Sequence, residues 1–207
     1  MQELRTHWTQ AWSRLALPPP AGLYEQLLHA YGEPQRHYHT LQHLGECLAH
    51  LDSAADLAQH PGEVAIALWF HDAIYDVRGS SNEQQSADWA QRALHAAGAA
   101  PAVQARVHAL ILATCHDAVP VDPDQQLLVD IDLAILGAPA ARFAQYEQQI
   151  RQEYAWVPRL LYNRKRRSVL QAFLARARIY STSAFGIRFE AQARANLAEA
   201  VRALAFW

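Results

Sequence analysis

The chain has 207 residues, of which 51% are hydrophobic, and its 18 basic residues nearly balance 20 acidic ones. This length suits one well-buried domain, and the formal net charge of -2 gives no electrostatic case for a nucleic-acid or membrane partner. The two cysteines lack CxxC spacing, the N-terminus does not resemble a signal peptide, and no apolar run approaches the roughly 20 residues of a membrane span. We therefore expect a cytoplasmic protein without a disulfide framework.

Hydrophobic residues recur every three or four positions along most of the chain, a pattern that predicts helices and no strand. The clearest such segments are residues 41–51, 103–114, 127–136 and 185–204. Helix start and stop signals separate the helices, namely the prolines at 18, 19 and 20, Ser81, Asn82, Gly98, Pro101, Gly137 and Pro139. We predict an all-α bundle of about eight helices.

His71 and Asp72 directly follow the apolar segment 64–70 and are the most informative pair in the sequence. An imidazole and a carboxylate at the end of a buried helix are costly in apolar surroundings unless a cation satisfies both. A divalent metal ion would supply that charge. The pair therefore indicates a metal site.

Two further segments carry polar residues that could join such a site. His39 and His43 lie four residues apart and would share one side of a helix, where they either face a cleft or are simply solvated. In the segment 127–136, helical spacing predicts that Asp132 points inward and Asp130 outward. A single buried aspartate can instead cap a helix or pair with an arginine. Neither segment indicates a ligand on its own.

The order His43, then His71 with Asp72, then Asp132 resembles the HD superfamily of metal-dependent phosphohydrolases. The closest similarity is to a bacterial group described as predicted HD-type phosphohydrolases, through four motifs: RxYHxxxH (36–43), WFHDAIYD (69–76), NExxSA (82–87) and DIDLAILG (130–137). The resemblance covers about residues 34–140. It implies one HD-like helical domain over 1–207, with a C-terminal helical extension over about 141–207.

The resemblance implies that His43, His71, Asp72 and Asp132 bind one divalent metal ion. Nitrogen and oxygen donors suit Mn, Fe, Co, Ni, Zn or Mg, and no thiolate that would favour zinc is expected among them. A bound metal ion activates water and polarises a phosphoryl oxygen, so a phosphoester would be hydrolysed. Thr40 stands where cyclic nucleotide phosphodiesterases have asparagine, so cyclic nucleotide activity is not implied.

Two residues are candidates for catalysis. His39 matches the first histidine of the phosphodiesterase-like segment, and this resemblance implies that it donates a proton to the leaving oxygen. Glu83 follows Asp72 by eleven residues and would act as a base or position water. Its alternative role is that of a first-turn acid favoured by the helix dipole.

Four residues are candidates for substrate binding. Arg36 could hold a phosphate through its guanidinium fork or be an ordinary surface residue. His116, at the end of an apolar helix, could contact the substrate or a second metal ion. Arg164 and Arg167 lie three residues apart in an arginine-rich C-terminal third and could converge on one anion, although such helix faces are usually just solvated.

These expectations describe a cytoplasmic phosphohydrolase that acts on a small phosphorylated partner, such as a nucleotide, without membrane or nucleic-acid partners. A homo-oligomer is left open, because the terminal Phe206 and Trp207 could dock on a second copy or fold back onto the same domain. Two alternatives also stay open. One is a non-catalytic HD module that binds a metal ion or a nucleotide, and the other, less favoured, is a di-iron HD-type oxygenase.

Overall fold

The computed structural model describes residues 2–116 and 118–204. In these residues, ten α-helices and three short 3-10 helices form all of the regular secondary structure, so the predicted all-α class is confirmed. The predicted number of about eight helices is slightly too low. Phe206 and Trp207 lie outside the described residues.

The connections between the helices are four to eleven residues long. In chain order the helices are α1 (Gln2–Arg14), α2 (Leu23–Tyr31), α3 (Leu41–Asp52), α4 (Pro61–Phe70), α5 (Asn82–Ala96), α6 (Pro101–Leu112), α7 (Pro123–Asp132), α8 (Ala140–Glu153), α9 (Arg159–Ala175) and α10 (Ser183–Ala203). The 3-10 helices are Ala55–Leu57, Ala113–Cys115 and Leu133–Gly137. Among the described helices, none combines the length and the apolar character that a bilayer span requires.

The chain divides into two compact units, the first ending at Ile131 and the second beginning at Asp132. Helix α7 belongs to the first unit except for its last residue, Asp132, which is covalently part of that helix and is described with it. The expectation of one domain over residues 1–207 stays a prediction.

Helix α4 is the centre of the first unit. Every residue from Gly62 to Phe70 is buried, as expected for the segment 64–70, which is apolar on all sides, while the buried Glu63 pairs with Arg106 at 2.6 Å. It packs against α1, α3, α5 and α6, and the Trp8 and Trp69 rings meet edge to face with centroids 5.0 Å apart. Two predicted helix boundaries next to α4 are confirmed: Gly98 follows the end of α5 with a left-handed φ of 81°, and Pro101 begins α6. The fold thus surrounds α4 and places its C-terminal end, with His71, in the interior.

The second unit is organised around α10 and the 3-10 helix Leu133–Gly137. A Cβ atom at Gly137 would lie 2.6 Å from Cβ of Phe189, so only glycine allows this close approach. The Asn196 amide donates to the carbonyl oxygens of Leu136 and Ala138 at 2.9 and 2.8 Å. These contacts fix the chain that follows α7 onto α10.

Candidate metal centre

His71 directly follows the last residue of α4, and its ring is oriented by the helix itself. Its Nδ1 atom lies 2.8 Å from the carbonyl oxygen of Leu68 in the last turn. A carbonyl oxygen can only accept a hydrogen bond, so we assign the proton to Nδ1. In a neutral ring this assignment leaves the lone pair on Nε2, which is the atom that a metal ion would bind.

The Nε2 atom of His71 faces a second imidazole and a carboxylate. It lies 3.1 Å from Nε2 of His43 on α3 and 3.0 Å from Oδ2 of Asp72. The same Asp72 oxygen is 3.4 Å from Nε2 of His43. Two ring nitrogens and one carboxylate oxygen therefore converge on one point in the first unit.

The environment of Asp72 favours its charged form. Burial alone would raise the pKa of Asp72, but the nearby His71 and His39, together with hydrogen bonds that His43 and His71 donate when their rings are protonated, hold this pKa well below its usual range. The Asp72 side chain is 18% exposed, whereas those of His43 and His71 are 3% and 1% exposed. Asp72 is thus the most exposed of the three residues whose atoms converge.

Two more side chains extend this cluster. One ligand atom from each of His43, Cys47, His71 and Asp132 lies within 4.8 Å of the others. Cys47 was not expected there, and its Sγ atom is 3.7 Å from Nδ1 and 3.8 Å from Nε2 of His43. The expectation that no thiolate stands among the candidate ligands is therefore wrong. The available signal was the spacing of four residues between His43 and Cys47, which places both on one side of α3.

The predicted orientation of the two α7 aspartates needs correction. Asp130 is fully buried at 0% exposure, whereas Asp132 is half-buried. The prediction assumed one buried side of the helix, but consecutive residues from Leu127 to Ile131 are all buried. Asp132 nevertheless supplies one of the converging ligand atoms.

Arg36 is a buried structural residue and not the surface residue that the sequence left open. Its Nη1 and Nη2 atoms donate to the carbonyl oxygens of Asp72 at 2.5 Å and Ala73 at 3.0 Å, and Nε donates to Glu33 at 3.0 Å. A further Nη1 contact reaches the carbonyl oxygen of His39 at 3.4 Å. Since these contacts engage most of the donors of the guanidinium group, phosphate binding by Arg36 has no support in this arrangement.

His39 lies beside the cluster but does not share a helix with His43. Helix α3 begins at Leu41 because Thr40 is its N-cap, with Oγ1 accepting from the Gln42 amide at 3.3 Å. The expectation that both histidines lie on one helix is therefore wrong, although their ring centroids are only 6.0 Å apart. The half-buried His39 ring stacks on Tyr75 at 4.0 Å, so an aromatic contact orients it.

The first turns of α5 hold the loop that follows Asp72. Ser86 accepts a hydrogen bond from the Ile74 amide at 3.0 Å, and the Asn82 side chain pairs with both main-chain groups of Asp76 at 3.1 and 2.9 Å. Glu83 is half-buried in the first turn of α5 and makes no hydrogen bond or ion pair with the cluster in the described part of the chain. This placement fits its alternative role as a first-turn acid.

The remaining candidates lie elsewhere. His116 is half-buried after the 3-10 helix Ala113–Cys115, with a left-handed φ of 57°, and is not among the converging ligands found in the described residues. Arg164 and Arg167 are exposed on α9 in the second unit, where anion binding by them stays a prediction.

The comparisons with known proteins add no name to this site. A scan against family models, a search of curated proteins and a search of solved structures found no match to the chain. The donor set itself fits a divalent metal ion, because imidazole nitrogens, carboxylate oxygens and a thiol converge in a mostly buried space.

Proposed function

We propose that the protein is an HD-type metal-dependent phosphohydrolase that acts on a small phosphoester. The observation that carries the proposal is the convergence of Nε2 of His43, Nε2 of His71 and Oδ2 of Asp72 within 3.0 to 3.4 Å. The Leu68 carbonyl oxygen supports it, because it holds His71 in the tautomer that can bind a metal ion. The order of these residues in the sequence is the order that the HD resemblance implies.

His43, His71, Asp72 and Asp132 would hold one divalent metal ion. When bound, such an ion lowers the pKa of a coordinated water and stabilises negative charge on a phosphoryl group. The partial exposure of the Asp72 side chain supports a catalytic site over a purely structural one, since a catalytic metal ion needs an open position for water or substrate.

The surrounding side chains would orient and protonate the substrate. His39 lies beside His43, with ring centroids 6.0 Å apart, and would donate a proton to the leaving oxygen, with its ring held by Tyr75. Arg36 would keep the His39 segment and the His71–Asp72 turn in register through its carbonyl contacts. A nucleotide or a related small phosphoester is the substrate class that we propose.

The test measures phosphate release from a panel of nucleotides and generic phosphoesters by metal-stripped protein supplied with Mn, Fe, Co, Ni, Zn or Mg. We expect turnover that requires metal and is abolished in Asp72→Asn. Asp88→Asn is the matched control, because Asp88 also contacts a histidine, His108 at 3.1 Å, but lies on the surface at 43% exposure. The control should keep full activity.

Two outcomes would replace the proposal with an alternative. Stoichiometric metal binding without turnover on any phosphoester would favour a binding module. Oxygen consumption by the iron-loaded protein, with two iron ions per chain and no phosphate release, would favour a di-iron oxygenase.

A further inference from the structure

We propose that the Cys47 thiolate is an additional ligand of the candidate metal centre and that it makes the site prefer Zn²⁺ over Mg²⁺ and Mn²⁺. The inference rests on the metal centre of the proposed function and specifies its metal class. Thiolate is a soft ligand that favours zinc, whereas magnesium and manganese favour oxygen ligands. One sulfur in the cluster is therefore enough to change the expected selectivity.

The position of Cys47 supports ligation. Cys47 lies one helical turn after His43 on α3, is only 2% exposed, and belongs to the group of ligand atoms that lie within 4.8 Å of one another. Zinc–nitrogen bonds of about 2.0–2.1 Å and zinc–sulfur bonds of about 2.3 Å put two neighbouring donor atoms about 3.1–3.6 Å apart, for angles of about 90–110° between the bonds. The corresponding separation here, from Sγ to Nε2 of His43, is 3.8 Å.

The sulfur would have to turn toward the ligand side of the ring. Sγ lies almost equally far from Nδ1 and Nε2 of His43, at 3.7 and 3.8 Å, and therefore beside the ring and not in the direction of the Nε2 lone pair. A change of one staggered χ1 rotamer moves a cysteine sulfur by roughly 3 Å, which is sufficient for this rearrangement.

Binding is an acid–base step without electron transfer. The S–H bond of Cys47 breaks, the proton passes to solvent, and the electron pair that remains on sulfur forms the bond to the metal ion. No oxidant or reductant takes part. The alternative role for Cys47 is that of a small apolar residue packed against the His43 ring.

The chain offers an internal control because it contains only two cysteines. Cys115 is exposed at the end of the 3-10 helix Ala113–Cys115, so Cys115→Ser leaves the buried cluster untouched and makes Cys47 the one remaining thiol. Any thiolate-to-metal signal from this variant must come from Cys47. The control therefore tests the proposal without a change in the core.

The experiment titrates metal-stripped protein with Co²⁺ and records the near-ultraviolet thiolate-to-cobalt charge-transfer absorption. We expect the band in the wild type and in Cys115→Ser, and we expect it to be lost in Cys47→Ser. Zn²⁺ affinity should fall at least as much as when an outer-shell partner is removed, about 10- to 100-fold, while Mg²⁺ affinity changes little. If Cys47→Ser does not fold, Cys47→Ala and the Cys115→Ser spectrum still decide the question.

The same titration distinguishes failure of the Cys47 proposal from failure of the metal centre. Stoichiometric Co²⁺ binding that requires His43 but gives no charge-transfer band in Cys115→Ser would overturn the Cys47 proposal and leave the metal centre intact. Co²⁺ binding that is absent, or that survives both His43→Ala and His71→Ala, would overturn the metal centre itself and the proposed function with it.

Discussion

Replacement of Arg36 by methionine tests how the candidate site is held together. The variant keeps a long unbranched side chain and removes all five N–H donors of the guanidinium group. Arg36 has no exposed side-chain surface, and its ion-pair partner Glu33 is 37% exposed. The variant should therefore leave main-chain carbonyl groups without a donor, while Glu33 stays hydrated.

The expected loss can be estimated from the contacts. The hydrogen bonds to the carbonyl oxygens of Asp72 and Ala73 are 2.5 and 3.0 Å long, and the contact with His39 at 3.4 Å is too long to add much. Hydrogen bonds that involve a charged group contribute roughly 1.5–3 kcal/mol each, so the two short ones give about 3–6 kcal/mol. Removal of a buried cation also relieves its desolvation cost, which favours the lower end, about 3 kcal/mol.

Urea unfolding followed by tryptophan fluorescence measures this change in the free energy of unfolding. Arg5→Met is the matched control, because Arg5 is 56% exposed and contacts the exposed Glu25 and the Tyr24 ring, so its replacement should cost clearly less than that of the buried Arg36. Arg36→Met should also weaken Co²⁺ binding, since the turn that carries Asp72 loses its support. Equal unfolding free energies for the two variants would refute the structural role assigned to Arg36.

Three further changes have expected outcomes. Gly137→Ala should lower the free energy of unfolding by about 1–3 kcal/mol, because its Cβ would meet Phe189 at 2.6 Å, and unchanged urea unfolding would contradict that close approach. Gly45→Ala lies inside α3, where the new Cβ would meet no atom within 4 Å beyond its chain neighbours and the backbone of its own helix; it should raise the free energy of unfolding by about 0.5–1 kcal/mol, and a decrease would argue against the open space there. Burial raises the pKa of Tyr162 to about 12 from 10.0, so its contribution to stability is complete below about pH 10 and is lost as the pH rises through about 12. Tyr162→Phe should therefore lose less stability than the wild type in urea unfolding between these pH values, and equal losses would speak against the pKa shift.

The helices were largely predictable because their signals are local. The apolar run 64–70 forms most of α4, Pro101 begins α6, and Gly98 takes the left-handed conformation that ends a helix. The N-cap role of Thr40 is equally local, and it explains why the helix predicted to include His39 begins two residues later, at Leu41. The correct helix boundaries and the wrong start of α3 all depend on residues that are close in sequence.

The environment of the site was less predictable because it depends on contacts between distant segments. Arg36 meets carbonyl groups that lie 36 and 37 residues further along the chain, and nothing in its own segment distinguishes it from a surface arginine. The spacing of Cys47 from His43 places both on one side of α3, but only the packing of α3 against the end of α4 brings Cys47 close to His71. Asp130 was misread because helical periodicity locates one buried side, whereas α7 is buried on several.

The buried end of α4 links the fold to the candidate chemistry. The last carbonyl groups of a helix have no partner within it, and in the interior each one needs a donor. Nδ1 of His71 donates to the Leu68 carbonyl oxygen, and the Tyr31 hydroxyl donates to that of Trp69. The Ala73 amide donates to the carbonyl oxygen of Phe70, the last residue of α4. Just beyond the helix, Arg36 donates to the carbonyl oxygens of Asp72 and Ala73. The first of these contacts also decides which nitrogen of His71 carries the proton. The same hydrogen bond that completes a buried helix therefore turns the lone pair of Nε2 toward His43 and Asp72, so a requirement of folding prepares His71 to bind a metal ion.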